Sequence, residues 1–345
     1  MRIAQVAPLY ERVPPAGYGG TERIVSYLTE ELVAQGHDVT LFATADSCTS
    51  ATLVPSAPEA LRSALGSCDP LTLHLLMIER VFQRQDEFDV IHTHLDHLPY
   101  SLARRCRTPW LTTLHGRLDL EHLDAVYKEF AEQHVVAISD AQRNQLPWVD
   151  WTATVHHGLP RDLYSYHPRG GEHLVFMGRI SPEKRVDRAV EIAVRTGRRL
   201  RIAAKIDSAD RAYYEQLAPI LRHPLVEFVG ELGDEAKDEF LGGAAALLFP
   251  IDWPEPFGLI MTEALACGTP VIAWRHGSVE EVIRDGKTGF ICDDVGAAVR
   301  AVARLDRIDR ALCRRDFERR FTADRMAGEY LELYERLRPR AAVRA

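Results

Sequence analysis

The sequence predicts an α/β protein with two doubly wound domains, in which helices cover parallel sheets. Apolar runs typical of β-strands alternate with helical patterns along the whole chain. The alternation stops between residues 158 and 171, a stretch with two prolines, a Gly-Gly pair and no clear period, and then restarts. Because 345 residues leave room for two domains with separate cores, we predict one domain over 1–160 and a second over 172–322.

The predicted strands of the first domain are near-continuous apolar runs, as expected when both faces of a sheet are covered. We place them at residues 2–7, 38–43, 89–93, 110–114, 135–138 and 152–155. Helical patterns separate them near residues 21–35, 71–83, 98–105 and 120–131. Gly36 follows the first of these helices, at a position where glycine commonly ends a helix.

The second domain repeats the alternation. Its predicted strands lie at residues 174–177, 200–204, 226–229, 246–249 and 271–273, and two helices lie at 183–196 and 211–221. A third helix is predicted to start at Pro256, which fits a first helical turn, and to end before Gly268, which fits the position after the last turn. A long helical pattern over 323–337 follows the second domain.

The composition is that of a soluble globular protein. No uninterrupted apolar run approaches the roughly 20 residues that a membrane helix needs. The N-terminal residues predict a strand rather than a signal peptide, because the apolar stretch is short and turns follow it. The six cysteines are scattered without a C-x-x-C pair, which favours a reducing, cytoplasmic setting.

Charge is distributed unevenly along the chain. The net charge is −8, and residues 1–160 contain 12 Lys and Arg against 20 Asp and Glu, whereas the rest of the chain contains 30 of each. An acidic half-molecule is a poor surface for nucleic acid or for anionic lipid. We therefore expect neither nucleic-acid binding nor strong binding to anionic membranes.

Two carboxylates, Glu255 and Glu263, flank a Pro-Phe-Gly-Leu stretch at a predicted strand-to-helix junction. The N–H groups and the positive end of a helix attract oxyanions, while carboxylates accept hydrogen bonds from hydroxyl groups. A site with both features suits a sugar joined to a phosphate. The other interpretation is a capped core helix with one exposed glutamate.

Two further loops carry groups suited to phosphate. Gly19 and Gly20 precede the first helix, where glycine leaves no Cβ between backbone and ligand, and Thr21 is a candidate N-cap. The G-x-G-x-x-G spacing of a dinucleotide site is absent. Arg179 and Lys184 follow the first strand of the second domain. Fixed cations there would stabilise the charge that a departing nucleoside diphosphate gains.

Together these segments resemble the retaining glycosyltransferases of family 4, which have the GT-B architecture. Glu255 and Glu263 have the spacing of the family's E-x7-E element, and residues 178–187 are similar to its G-R-x-x-x-x-K-x-x-D segment. The Gly-Gly-Thr-Glu-Arg run at residues 19–23 is similar to its glycine loop. The resemblance spans essentially the whole chain. It implies two Rossmann-like domains facing across a cleft, with the last helix, 323–337, crossing back onto the first domain.

The resemblance implies a role for each matching residue. Glu255 would hold hydroxyls of the donor sugar and Glu263 the ribose of its nucleotide. Arg179 and Lys184 would bind the diphosphate. The remaining donor-binding positions would be Gly19, Gly20, Phe257, Gly258 and Leu259. We assign catalytic roles to His115, Arg179, Lys184 and Glu255.

His115 ends a strand in a Thr-Thr-Leu-His-Gly run that is similar to the family's T-x-H-G element. The resemblance places it near the scissile bond, against the primary hydroxyl of the sugar or the β-phosphate. We expect it to orient and stabilise rather than to act as a general base. No protein nucleophile is established for the retaining members of this fold.

Several positions are weaker candidates. His92 and His94 share a strand face and invite a metal interpretation, but no cysteine or acid cluster completes a site, so we expect no metal. Lys205 stands where the family often has a glycine-rich turn, and Glu281 lies in a segment similar to the family's G-x-x-E-V-I tail. His156-His157-Gly158 replaces the common Pro-Asn-Gly, which leaves no inherited role for that position.

The sequence therefore predicts a retaining, metal-independent hexosyltransferase that uses a nucleoside-diphosphate sugar, a hydroxyl acceptor and no cofactor. The alternatives are a non-catalytic sugar-nucleotide-binding protein, or another GT-B enzyme such as a phosphorylase or an epimerase. A phosphorylase would need a lysine-bound pyridoxal cofactor. The sequence leaves open the nucleobase, the sugar, the acceptor and the oligomeric state.

Overall fold

The computed structural model describes residues 1–17, 19–62, 69–207 and 210–338. The chain forms two compact units. The first unit contains Met1–Gly158 together with Ala323–Ala345, and the second contains Leu159–Thr322. Tyr18 of the glycine loop lies outside the described residues.

The first unit has a seven-stranded parallel sheet in the order β3-β2-β1-β4-β5-β6-β7. Its inner strands are almost entirely buried, as covered faces require. The strands are β1 (Arg2–Val6), β2 (Asp38–Thr44), β3 (Thr52–Ala57), β4 (Val90–Thr93), β5 (Trp110–Thr113), β6 (His134–Ala137) and β7 (Trp151–Thr154). The helices between them are α1 (Gly20–Ala34), α2 (Pro70–Gln83), α3 (Tyr100–Ala103), α4 (Leu123–Glu129) and α5 (Asp140–Arg143).

The second unit has a six-stranded parallel sheet in the order β10-β9-β8-β11-β12-β13. Its strands are β8 (Leu174–Arg179), β9 (Leu200–Lys205), β10 (Val226–Gly230), β11 (Ala246–Phe249), β12 (Val271–Trp274) and β13 (Gly289–Cys292). Its helices are α6 (Val186–Thr196), α7 (Arg211–Leu221), α8 (Asp234–Gly242), α9 (Leu259–Ala266), α10 (Val279–Val282), α11 (Val295–Val302) and α12 (Arg310–Arg320).

The last helix, α13 (Ala323–Leu337), belongs to the first unit, where it packs against α1. Its buried residues recur every three or four positions and form one apolar face with two tyrosines, Tyr330 and Tyr334. This packing brings Tyr334 of α13 to His92 on β4 of the first sheet.

The two sheets share one winding pattern. When the strands of each unit are numbered along the chain, they lie in the order 3-2-1-4-5-6 across both sheets, and the first sheet adds a seventh strand at the end. In such sheets the strand order reverses between the first and fourth strands, and ligands bind beyond the carboxyl ends of those strands. The reversal lies between β1 and β4 in the first unit and between β8 and β11 in the second. The predicted glycine loop follows β1, and the predicted cation and glutamate segments follow β8 and β11.

The sequence missed some elements, most of them short. The edge strand β3 contains Pro55, which an edge tolerates but which weakens the strand pattern. The strand β13 was also missed, because it has only four residues and begins with Gly289. The helices missed were α5, α8, α10, α11 and α12.

Several predicted helix starts differ from the observed ones, and two of these lie in the predicted site. Helix α9 begins at Leu259 rather than Pro256, because Gly258 takes a left-handed conformation (φ 75°) that interrupts the chain before it. Helix α1 begins at Gly20, so Thr21 lies inside the helix and Gly19 occupies the N-cap. Gly36 and Gly268 follow their helices in left-handed conformations, as predicted.

Candidate active site

Arg179 is the last residue of β8 and lies between two carboxylates. Its guanidinium donates to Oε1 of Glu183 at 2.8 Å, and its Nη1 lies 3.6 Å from Oδ2 of Asp210. Its Nε has no hydrogen-bond partner among the described residues. The two carboxylates therefore fix the cation at the end of the strand.

Lys184 lies in the 3₁₀ turn that follows β8, and its ammonium contacts Oε2 of Glu255. The indole Nε1 of Trp253 donates to the same carboxylate oxygen at 3.0 Å, and the ammonium lies 4.8 Å from the centre of the indole ring. Both charged side chains are mostly buried. The two strand ends beside the reversal point thus place a cation and a carboxylate in direct contact.

The loop of Glu255 is held by the segment that starts α10. Gly277 has φ 57°, and a Cβ there would clash with the backbone of Glu255 and of Pro254. The backbone N–H of Ser278 donates to the carbonyl of Glu255 at 3.1 Å, and its hydroxyl donates to the carbonyl of Phe257 at 2.7 Å. The Gly-Ser pair therefore positions the glutamate loop.

The predicted donor-binding residues that follow Glu255 in the chain lie in different environments. The ring of Phe257 is buried against Phe321, so this side chain contributes packing rather than ligand contact. Leu259 is the first residue of α9, directly after the left-handed Gly258. Glu263 is buried on the same helix, and its carboxylate lies 3.6 Å from Nζ of Lys237 on α8.

Lys205 lies on the strand next to β8, and Glu281 lies on α10. Lys205 ends β9 and is paired in register with Arg179, and the N–H of Ile180 donates to its carbonyl at 3.0 Å. The carbonyl of Glu281 accepts a hydrogen bond from Arg320, which ties α10 to α12. The structure thus places Lys205 beside a predicted phosphate ligand and gives Glu281 a structural contact.

In the first unit the glycine loop leads into α1. Arg23 donates to the carbonyl of Gly17 at 2.8 Å, which fastens the loop to the helix behind Gly19 and Gly20. Burial raises the pKa of Glu22, in the first turn of α1, to about 7, and the neighbouring charge of Glu11 adds to this effect. A carboxyl that is partly protonated at neutral pH therefore lies directly behind the loop.

His115 follows β5 and is partly exposed, and the other imidazoles of its cluster, His92, His94 and His157, are buried. Its Nε2 lies 2.8 Å from Nδ1 of His94, and its ring stacks on His157 with centroids 5.1 Å apart. The Nε2 of His94 lies 2.9 Å from Oε1 of Gln5 on β1. The Nδ1 of His115 is buried and has no hydrogen-bond partner among the described residues.

His92 and two tyrosines of α13 complete the cluster. The Nδ1 of His92 lies 2.7 Å from the hydroxyl of Tyr334, and its Nε2 lies 2.8 Å from the hydroxyl of Thr113. Thr113 in turn lies 2.7 Å from the hydroxyl of Tyr330. Both ring nitrogens of His92 are therefore engaged. Among the described residues, no group of three or more His, Cys, Asp or Glu side chains is arranged to hold a metal ion.

Burial keeps this cluster neutral. It lowers the pKa of His115 to about 3 and holds the pKa values of His92, His94 and His157 well below their usual range. The cause is desolvation, which disfavours the charged form, reinforced for His92, His94 and His157 by the neighbouring imidazoles. The cluster can therefore accept and donate hydrogen bonds at neutral pH without carrying charge.

Several residues near the site escaped the sequence analysis. Gln5 is a polar residue in the middle of an apolar strand, which was the available signal. Trp253 lies two residues before Glu255, and Lys237 lies on a helix that was not predicted. His157, given no role from the sequence, stacks on His115.

Comparison with known proteins assigns the chain to a class. A family model described as glycosyl transferases group 1 matches residues 166–321, and one described as glycosyltransferase family 4 matches residues 18–150. A glycogen synthase of Mycobacterium tuberculosis is 27% identical, covering 88% of this chain and 86% of its own. A phosphatidyl-myo-inositol mannosyltransferase of Mycobacterium leprae is 28% identical, covering 90% and 88%.

Solved structures agree on the architecture. AviGT4, a glycosyltransferase involved in avilamycin A biosynthesis, is 25% identical, with a TM-score of 0.75 and 98% of both chains covered. A sucrose-phosphate synthase of Thermosynechococcus elongatus is 21% identical, with a TM-score of 0.81 over 98% and 99% of the two chains, and shows the fold alone. The protein is a glycosyltransferase with the GT-B fold.

The two family matches lie one in each unit and together span most of the chain. The chain belongs to the glycosyltransferases of family 4. No described helix has both the length and the apolar character needed to cross a membrane.

Proposed function

We propose that the protein is a retaining hexosyltransferase that takes its sugar from a nucleoside diphosphate and transfers it to a hydroxyl acceptor without a metal ion. The observation that carries this proposal is the grouping of Arg179, Lys184 and Glu255 at the strand-order reversal of the second sheet. Cations and a carboxylate together suit a phosphate-linked sugar. The HepE protein of Anabaena, a structural neighbour, was solved with UDP and with UDP-glucose.

In this proposal the fixed cations act on the leaving group. As the glycosidic bond breaks, the diphosphate gains negative charge, so cations placed beforehand stabilise the transition state more than the ground state. Arg179 offers a guanidinium held by Glu183 and Asp210, and Lys184 offers an ammonium that now contacts Glu255. Protein cations then replace the divalent ion that other transferases need. Glu255 would accept hydroxyls of the sugar, and Glu263 those of the ribose.

The second unit would bind the donor, and the first unit, with its acidic excess, a soluble or neutral acceptor. His115 of the first unit would contribute a neutral imidazole to the reacting sugars. We place this activity in the cytoplasm, because scattered cysteines without disulfide-type spacing suit a reducing compartment.

Titration calorimetry with UDP, GDP, ADP and TDP tests the donor assignment. We expect one nucleotide to bind markedly better than the others, and its sugar conjugates to be turned over. Proton NMR of the first product gives the anomeric configuration, which should match that of the donor. Turnover should continue in excess EDTA. Failure of all four nucleotides to bind, an inverted product, or a loss of activity in EDTA that manganese restores would each contradict the corresponding part of the proposal.

A further inference from the structure

A hydrogen-bonded chain runs from the centre of the first sheet to His115. Gln5 on β1 contacts His94 after β4, and His94 contacts His115 after β5, at 2.9 and 2.8 Å. The side chains of Gln5 and His94 are buried. The far end of the chain is Nδ1 of His115, which is buried and has no partner among the described residues.

The orientation of the Gln5 amide sets the direction of every proton in this chain. Its Nε2 donates to the hydroxyl of Tyr334 on α13 at 3.1 Å, so its Oε1 faces His94 as an acceptor. His94 must then carry its proton on Nε2, which leaves its Nδ1 as an acceptor. His115 consequently donates from Nε2, and its own Nδ1 keeps a lone pair.

The reverse arrangement is less favourable. With the amide turned over, Gln5 would donate to His94, and the proton of His115 would move to Nδ1. That would bury an N–H group that has no acceptor among the described residues. Buried donors without partners are rarer in proteins than acceptors that lack one. The arrangement with the lone pair on Nδ1 is therefore the one that this environment supports.

We propose that Gln5 and His94 are positioning residues that hold His115 in the Nε2–H tautomer, so that its Nδ1 accepts a hydrogen bond from a sugar hydroxyl. This inference rests on the proposed function. A neutral acceptor nitrogen cannot pair with a phosphate oxygen, which is itself an acceptor. This tautomer therefore favours a sugar hydroxyl over the β-phosphate as the partner of His115. The sequence had left both partners open. Tyr334 extends the chain to α13, so the last helix takes part in orienting His115.

Long-range ¹⁵N–¹H NMR of the full-length protein with ¹⁵N-labelled histidine reads the tautomers directly, independently of activity. We expect protonated Nε2 and unprotonated Nδ1 in both His94 and His115, assigned by substituting each histidine in turn. A proton on Nδ1 of His115 would overturn the proposal. If the expected tautomers are found in a protein that binds no nucleotide, the proposed function fails and the proton arrangement stands.

Two variants of His94 separate positioning from folding. His94→Asn retains an acceptor close to the place of Nδ1, whereas His94→Leu removes it. We expect His94→Leu to lower kcat by about ten-fold, as loss of an orienting partner typically does, and His94→Asn to recover most of it. The Kd of the nucleoside diphosphate that binds wild type should stay unchanged in both, since the contact is to a hydroxyl. Equal kcat in His94→Leu and wild type, or a weakened diphosphate Kd in the folded variants, would contradict the proposal.

Discussion

The ammonium of Lys184 contacts the carboxylate of Glu255, and Trp253 donates to the same oxygen. Lys184 was predicted to bind the diphosphate of the donor and Glu255 its sugar, yet the two side chains pair with each other in this structure. Their side chains are only 15% and 13% exposed, so neither charge can rely on water alone. When the donor binds, contacts to phosphate and to sugar hydroxyls must therefore be added to this ion pair or replace it.

The first prediction concerns Lys184→Ala. Loss of a charge-assisted contact should weaken nucleoside-diphosphate binding by about 1.5–3 kcal/mol and lower turnover. The variant should also be less stable, because Glu255 is left buried with only Trp253 as a donor. Calorimetry and urea unfolding measure the two effects separately.

The double variant Lys184→Ala/Glu255→Gln is the matched control. Glutamine removes the uncompensated charge and can still accept from Trp253, so stability should recover while nucleotide affinity stays low. If affinity in Lys184→Ala equals that of wild type, Lys184 is a structural partner of Glu255 and the diphosphate assignment is wrong.

The second prediction separates the two glutamates. Glu263→Gln should mainly reduce affinity for the free nucleotide, through the ribose, whereas Glu255→Gln should mainly reduce the rate of sugar transfer. Glu280→Gln makes the same change on an exposed residue of the second unit and should alter neither quantity. Steady-state kinetics with the donor, together with nucleotide Kd values, distinguish the outcomes. If both variants lose only stability, the element is a capped core helix.

The apolar patterns predicted most of the fold, because strands covered on both faces are continuous apolar runs. They failed where that signal is weak. Pro55 interrupts β3 at the sheet edge, and β13 is only four residues long and begins with a glycine. The start of α9 was misplaced because Pro256 suits a first turn, while the left-handed Gly258 that delays the helix is visible only in the structure.

The candidate site was predictable as a set of residue types but not as a set of contacts. Lys184 and Glu255 are 71 positions apart, so their ion pair depends on which strands are neighbours. Gln5 and Tyr334 are 329 positions apart and meet because α13 packs on the first unit. His92 and His94 were expected to hold no metal and received no other role, because the hydrogen bonds that engage their nitrogens are not visible in a sequence.

The third prediction follows from the buried imidazoles. Their pKa values in the folded protein lie below the usual 6.5, with His115 at about 3, so below pH 6.5 the unfolded chain binds more protons than the folded one. Stability should therefore fall as pH drops from 6.5 towards 3. Each such imidazole lowers the free energy of unfolding by up to about 1.4 kcal/mol for every pH unit between 6.5 and its pKa in the folded protein.

Glu22 acts in the opposite direction. Its pKa is raised from 4.5 to about 7, so the stability that its protonated form contributes is present at low pH and is lost as pH rises through 7. The four imidazoles outweigh it, and urea unfolding should give lower stability at pH 5.5 than at pH 7.5. Glu22→Gln removes the opposing group and should steepen this dependence. A stability that is flat or higher at pH 5.5 would show that the imidazoles become protonated in the folded protein.

The last prediction concerns the surface of the first unit. Leu71, Leu75 and Leu76 of α2 are each about half exposed, which gives this helix an apolar stripe that charge counting does not show. These leucines lie within residues 1–160, which hold the acidic excess, and that excess repels anionic lipid over a Debye length of roughly 8 Å in physiological salt. Apolar contact and charge thus oppose each other at an anionic surface.

We expect the protein to sediment no more with anionic vesicles than with zwitterionic ones, at any salt concentration. Leu75→Ser/Leu76→Ser is the matched variant, because it removes apolar area without changing charge. A small loss of binding to both vesicle types in this variant would fit a weak apolar contact. Strong binding to anionic vesicles that salt abolishes would mean that basic residues group on this face despite the acidic total, and an acceptor at an anionic membrane would then replace the soluble or neutral one.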